Sequence, residues 1–179
     1  LDTGAEWIEL DVHLSADGEI VVMHDSTVDR CTNGSGAIAD MSLAQLKALD
    51  AGSWFGPEFA GETVPTLGEV VALVGHRIRI NAEIKSFSDP RTGPKVVQVL
   101  ADGGVLDQSM ISSFSLEAVL ETRRHWPEGR LALISGQAED LLAAIEHHLP
   151  WFNVAYPEVD AHLVRRAHEA GVRVSIWTM

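Results

Sequence analysis

Trp7-Ile8-Glu9-Leu10-Asp11-Val12 is a short apolar run broken at alternate positions by two carboxylates. Side chains at i and i+2 of a strand point to one face, so Glu9 and Asp11 stand side by side. Two like charges at the end of a buried strand raise each other's pKa unless a cation lies between them, and a divalent metal is the usual occupant. The run therefore reads as half of a metal site. Working outward, Asp17-Gly18 marks a hairpin that returns through Val21-Val22-Met23-His24-Asp25. Further on, Arg79-Ile80-Asn81-Ala82-Glu83-Ile84-Lys85 repeats the device, with a carboxylate and an ammonium two residues apart at the end of a second apolar run.

The same alternation of strand and helix continues through the chain. Strands are expected at Trp7 to Val12, Ile78 to Ile84, Met110 to Phe114, Leu131 to Ile134, Phe152 to Tyr156 and Val172 to Trp177, each short and rich in branched residues. Thr66-Leu67-Gly68-Glu69 is a capping box opening a helix from Leu67 to Val74, and Pro94 suits the first turn of another that Gly103-Gly104 ends. Ser115 caps a stretch to His125; Glu139 to His148 and Asp160 to Ala170 complete the series, the last closed by Gly171. Such alternation implies parallel strands with crossover helices. An open doubly wound sheet and a TIM barrel both fit. No glycine-rich turn follows the first strand, and polar residues collect at the C-terminal ends of several strands, which favours the TIM-type α/β barrel. Residues 25–64 are too long for a plain connection and carry their own capping-box helix at Ser42-Leu43-Ala44-Gln45.

Composition bounds the function without reaching it. With 179 residues, 46% of them apolar, the chain has material for one sizeable core, and a single domain is expected. A net charge of -13 argues against nucleic acid or an anionic membrane surface as a partner held by general electrostatics, so a phosphate substrate would need local cations. The single cysteine, Cys31, cannot form an internal disulfide. No apolar run approaches the ~18 residues of a membrane span, and no signal-peptide pattern is present, so no integral membrane segment and a cytoplasmic location are expected.

Taken in order, Glu-x-Asp, His24-Asp25, Thr32-Asn33-Gly34-Ser35-Gly36, Leu49-Asp50-Ala51-Gly52-Ser53-Trp54-Phe55, Val64-Pro65-Thr66-Leu67 and Glu83-Ile84-Lys85 resemble the glycerophosphodiester phosphodiesterase family, from Gly4 to Trp177. The resemblance implies an incomplete TIM-type barrel with residues 25–64 as the family's small insertion after the second barrel strand. The family has a further strand ending in His-Arg and a helix with Glu-Asn-Thr before Glu-x-Asp, and usually one more helix and strand after the position of Met179. A fragment lacking the first and last strands, and one of two catalytic histidines, is the resulting expectation; Leu1 would lie in the end of a helix. Such a fragment is expected to be catalytically silent and marginally folded.

Site residues follow by resemblance. Glu9, Asp11 and Glu83 match the metal ligands, and hard oxygen donors without cysteine or paired histidine suit Ca²⁺ or Mg²⁺. Structural salt bridges are the alternative, with Glu83 simply paired to Lys85. His24 matches a catalytic histidine acting as general acid or base, Lys85 a phosphate-contacting lysine, and Phe114 and Trp177 aromatic residues at the mouth; rim packing would explain the last two equally. His13 shares the parity of Glu9 and Asp11 but falls on the hairpin arm, where solvent is expected. His125, His147, His148, His162 and His168 read as surface, and Cys31 as a half-buried spectator. The implied activity is metal-dependent hydrolysis of a small phosphodiester to glycerol 3-phosphate and an alcohol. A lysophospholipase D or sphingomyelinase D type reaction, and a non-catalytic metal or phosphate binder, are the alternatives.

Overall fold

The computed structural model describes residues 4–85 and 89–177; the expectations for Leu1 and the chain's last two residues fall outside them. Among the described residues seven strands form one sheet: β1 (Trp7–Leu14), β2 (Ile20–Val22), β3 (Arg79–Ile84), β4 (Met110–Ser113), β5 (Leu131–Ser135), β6 (Trp151–Ala155) and β7 (Arg173–Trp177). Their order is β2-β1-β3-β4-β5-β6-β7. Only β2 runs antiparallel, as the return arm of a hairpin; the other six are parallel, as the alternating pattern requires. Helices α1 (Leu43–Lys47), α2 (Leu67–Val74), α3 (Thr92–Asp102), α4 (Leu116–His125), α5 (Leu141–Glu146) and α6 (Ala161–Glu169) lie between strands. The barrel is not closed, since among the described residues β7 pairs with β6 alone.

Local chemistry accounts for where the elements begin. Thr66 Oγ1 accepts from the Glu69 backbone at 3.1 Å while the Glu69 carboxylate accepts from Thr66 N at 2.8 Å, closing the capping box that starts α2. Ser115 and Asp160 accept from Ala118 N and Leu163 N, at 3.2 and 2.7 Å, to start α4 and α6. Pro94 falls within the first turn of α3, which starts two residues earlier than its position suggests. α5 is shorter than the sequence pattern indicates, because a 3-10 turn, Ala138–Asp140, occupies its beginning.

Parity divides the sheet. In β1 and β3, Val12, Ile80, Ala82 and Ile84 are buried against α2, α3 and the other helices, with Leu10 partly so. The alternate residues Glu9, Asp11, Asn81 and Glu83 face a cavity on the other side. The core is thus on the helical side, and the inner face is left to polar groups. A second, smaller core of Val21, Met23, Val28, Cys31, Ile38, Leu46 and Val64 lies under residues 25–64.

Two expectations are corrected here. His13 is 3% exposed, not solvated, because β1 continues two residues past its motif, pairs His13 with Val21 and is covered by the insertion, whose Met41 carbonyl accepts from Ala16 N. Cys31 is buried among the apolar side chains of the smaller core. For the main core, Phe152→Ala is expected to cost about 3–5 kcal/mol in denaturant unfolding, against less than about 0.5 kcal/mol for Leu73→Ala on the exposed face of α2. Comparable losses for the two would contradict the assignment of the core.

Candidate active site

The parallel register of β1 and β3 sets Asp11 beside Glu83, with Glu9 one inward-facing position back on β1. Ligand oxygens of Glu9, Asp11 and Glu83 come within 4.8 Å of one another. Lys85 continues the β3 ladder, its backbone N donating to the Val12 carbonyl, and its Nζ lies 2.9 Å from Glu83 Oε1 and 3.5 Å from Asp11 Oδ1. One ammonium therefore faces three carboxylates. Partial burial, then the charges of Asp11 and Glu83, push Glu9 up to about 7. Burial disfavours the Lys85 ammonium, but the hydrogen bond and charge of Glu83 and the charge of Asp11 outweigh it, and its pKa rises.

Glu83 is 8% exposed, and its buried Oε1 has the Lys85 ammonium, at 2.9 Å, as its cationic neighbour. Three carboxylates gathered around one ammonium are costly in a metal-free protein. The donor set, three carboxylates sharing one ammonium, with Glu9 pushed up to about 7 by burial and its neighbours' charges, fits a hard divalent cation.

His24 is brought to the same cavity from the far arm of the hairpin. Met23 N donates to the Asp11 carbonyl at 3.0 Å, and His13 Nε2 lies 3.3 Å from the His24 carbonyl, to which it donates. Burial lowers the His13 pKa against the raising effect of this bond, and the ring braces the His24 carbonyl. The opposite rim is aromatic: Phe114 and Trp177 meet edge to face at 5.8 Å, Lys85 Nζ lies 5.9 Å from the Phe114 ring, and Trp177 Nε1 donates to the Ser135 carbonyl. Glu9, Asp11, His24, Glu83, Lys85, Phe114 and Trp177 line one cavity of about 720 Å³.

Residues 1–179 match the Glycerophosphoryl diester phosphodiesterase family along their whole length. The chain belongs to that family. A glycerophosphodiester phosphodiesterase of Caldanaerobacter subterraneus subsp. tengcongensis is 35% identical over 184 residues, covering 100% of this chain and 76% of the relative. A phosphodiesterase of Oleispira antarctica, solved in complex with the product sn-glycerol-3-phosphate, superposes with a TM-score of 0.91 at 32% identity, over 99% of this chain and 74% of that one. A glycerophosphodiester phosphodiesterase of Agrobacterium tumefaciens gives a TM-score of 0.84 at 30% identity, over 98% and 75%. The TIM-type barrel expected from the sequence is the fold of these phosphodiesterases.

Every site residue singled out from the sequence, Glu9, Asp11, His24, Glu83, Lys85, Phe114 and Trp177, lines the one cavity, whereas His125, His147, His148, His162 and His168 do not. Sequence reasoning missed Asn81, Asn153 and Ser175, which line it too. Asn81 Oδ1 accepts from Ser112 Oγ at 2.9 Å, and Asn153 Oδ1 is buried without a hydrogen-bond partner. A polar residue at an inward parity position of an otherwise apolar strand was the available signal. Trp7 and Trp151, the first residues of β1 and β6, line the other end of the cavity, each under an arginine.

A cation site of this kind has a definite pH signature. The folded pKa of Glu9, about 7, stands above its ordinary 4.5, so this group's contribution to the stability of the metal-free protein is present below about 4.5 and lost as pH rises through about 7. A bound divalent cation favours the ionised carboxylate and reverses that trend. Millimolar Ca²⁺ or Mg²⁺ is expected to raise the melting temperature more at about pH 8 than at about pH 5.5. Glu83→Gln is expected to abolish the rise. Equal gains at both pH values, or a gain retained in Glu83→Gln, would contradict a shared site.

Proposed function

We propose that the site on this chain serves the hydrolysis of glycerophosphodiesters to glycerol 3-phosphate and an alcohol such as choline or ethanolamine, with Ca²⁺ or Mg²⁺ held by Glu9, Asp11 and Glu83, in a protein that also supplies the family's second histidine. The observation that carries the reading is the convergence on one cavity of three carboxylates, the Lys85 ammonium and an exposed histidine. The family membership and the sn-glycerol-3-phosphate bound to the Oleispira antarctica relative support it. In this reading residues 1–179 are a single, partial barrel domain, and about 25–64, with their separate apolar cluster, are its insertion.

A divalent cation bound there would supply charge neutralisation at a phosphate oxygen and lower the pKa of a bound hydroxyl. The remaining work falls to the side chains. Lys85, released from part of its pairing with Glu83, offsets negative charge growing on the equatorial phosphate oxygens. His24 moves a proton to or from an in-line oxygen as general acid or base. Phe114 and Trp177 form an apolar wall for the alcohol portion and limit water at that side of the cavity. Trp54, Phe55 and Phe59, exposed on the insertion, do not line the cavity, which favours a small diester over a long-acyl lipid as substrate.

In a protein that also carries the family's preceding His-Arg strand, His24→Ala is expected to lower kcat for glycerophosphocholine by about 10²- to 10⁴-fold when metal-loaded while leaving the metal-induced melting shift in place. Parallel loss of metal response and turnover would make His24 a ligand instead. Faster release of choline from a long-acyl lysolipid than from glycerophosphocholine would favour the lipid-acting alternative.

A further inference from the structure

Arg30 lies outside the cavity, in the loop that follows the hairpin, yet it is tied to the cavity's histidine through one residue. Its Nε donates to Asp25 Oδ2 at 2.7 Å and its Nη2 to Asp25 Oδ1 at 2.9 Å, a two-pronged grip on both carboxylate oxygens. His24 Nδ1 lies 2.8 Å from the same Oδ1. As an exposed ion pair, Arg30 and Asp25 would contribute little to stability. Their geometry has another consequence. A carboxylate kept ionised by a guanidinium only accepts hydrogen bonds, so the 2.8 Å contact requires a hydrogen on His24 Nδ1. In the neutral ring that leaves Nε2 as the lone-pair nitrogen, on a side chain that is 64% exposed and lines the cavity.

We propose that Arg30 is a positioning residue for His24: by holding both oxygens of Asp25 it fixes the Nδ1–H tautomer and the ring orientation, and so presents Nε2 to the reacting oxygen. This rests on the reading of His24 as the proton-transfer group. The bracing is two-sided, because His13 holds the His24 carbonyl from the buried side while Asp25 holds the ring from the exposed side. Both hydrogen bonds of Arg30 to Asp25 are needed, since a single point charge would leave the carboxylate free to rotate away from Nδ1. Burial has no part in keeping Asp25 ionised; the hydrogen bonds of Arg30 and then of His24 hold it well below the usual carboxylate range.

The test measures tautomer and turnover in the same metal-loaded protein, with the family's preceding His-Arg strand present. Nitrogen-15 NMR of the His24 ring is expected to show the Nδ1–H form in the wild type and a substantial Nε2–H population in Arg30→Gln. Turnover of glycerophosphocholine in Arg30→Gln is expected to fall by about 10- to 100-fold at nearly constant KM, as when a supporting shell is removed. Arg30→Lys, which keeps the charge without the fork, is expected to recover only part of the loss. In a His24→Ala background the Arg30→Gln change is expected to have no further effect on kcat, and the metal-induced melting shift is expected to be unchanged throughout. Asp25→Asn provides the second variant and is expected to shift the tautomer in the same direction. Retention of the Nδ1–H form and full turnover in Arg30→Gln would overturn the proposal, as would an equal loss of kcat from Arg30→Gln in the His24→Ala background. Full activity of His24→Ala would instead sink the assignment of His24 itself.

Discussion

Repulsion among three carboxylates is the constraint on which the rest of the site depends. The parallel pairing of Asp11 with Glu83 and the two-residue period of β1 leave Glu9, Asp11 and Glu83 no means of separating. Among the described residues Lys85 is the ammonium paired with them, contacting two of the three. The pKa of Glu9, pushed up to about 7, is the residual cost of that imbalance. A sheet that gained only stability from these positions would carry apolar residues there, as the opposite parity does with Val12, Ile80, Ala82 and Ile84. A localised unfavourable arrangement within an otherwise consistent fold is characteristic of functional sites.

The second constraint is the hairpin. β2 has three residues and packs on the edge of β1, yet it carries the chain to His24 and sets the depth at which that ring meets the cavity. Its register is held by the Met23 bond to the Asp11 carbonyl and by the buried His13. Metal-site geometry and proton-transfer geometry are thereby linked through the backbone of one strand, because Asp11 supplies a carboxylate to the first and a carbonyl to the second. The smaller core beneath residues 25–64, built on Ile38, Leu46 and Val64, supports the far side of this hairpin.

Parity and order made most of this legible in the sequence. The strands and helices announced themselves by apolar period, capping boxes and terminal glycines, and errors were confined to ends: α3 begins at Thr92, and a 3-10 turn takes the start of α5. His13 was misplaced because the Asp17-Gly18 turn suggested an exposed arm, whereas burial there comes from the insertion, a tertiary contact that no local pattern encodes. Asn153 escaped notice because a lone amide within Trp151–Ala155 has no sequence neighbour with which to form a motif. Arg30 was invisible for a related reason. It stands five residues beyond Asp25 in a loop, where spacing carries no directional information.

The central claim is that Glu9, Asp11 and Glu83 form one site for a hard divalent cation. The most direct measurement is the anomalous difference density of a crystal soaked in Ca²⁺. A single peak roughly 2.3–2.6 Å from oxygens of all three carboxylates, with the Lys85 ammonium displaced from Glu83, is the predicted result. A cavity without such a peak, with Lys85 still paired to Glu83, would show that the three carboxylates are a salt-bridge cluster and would contradict the account.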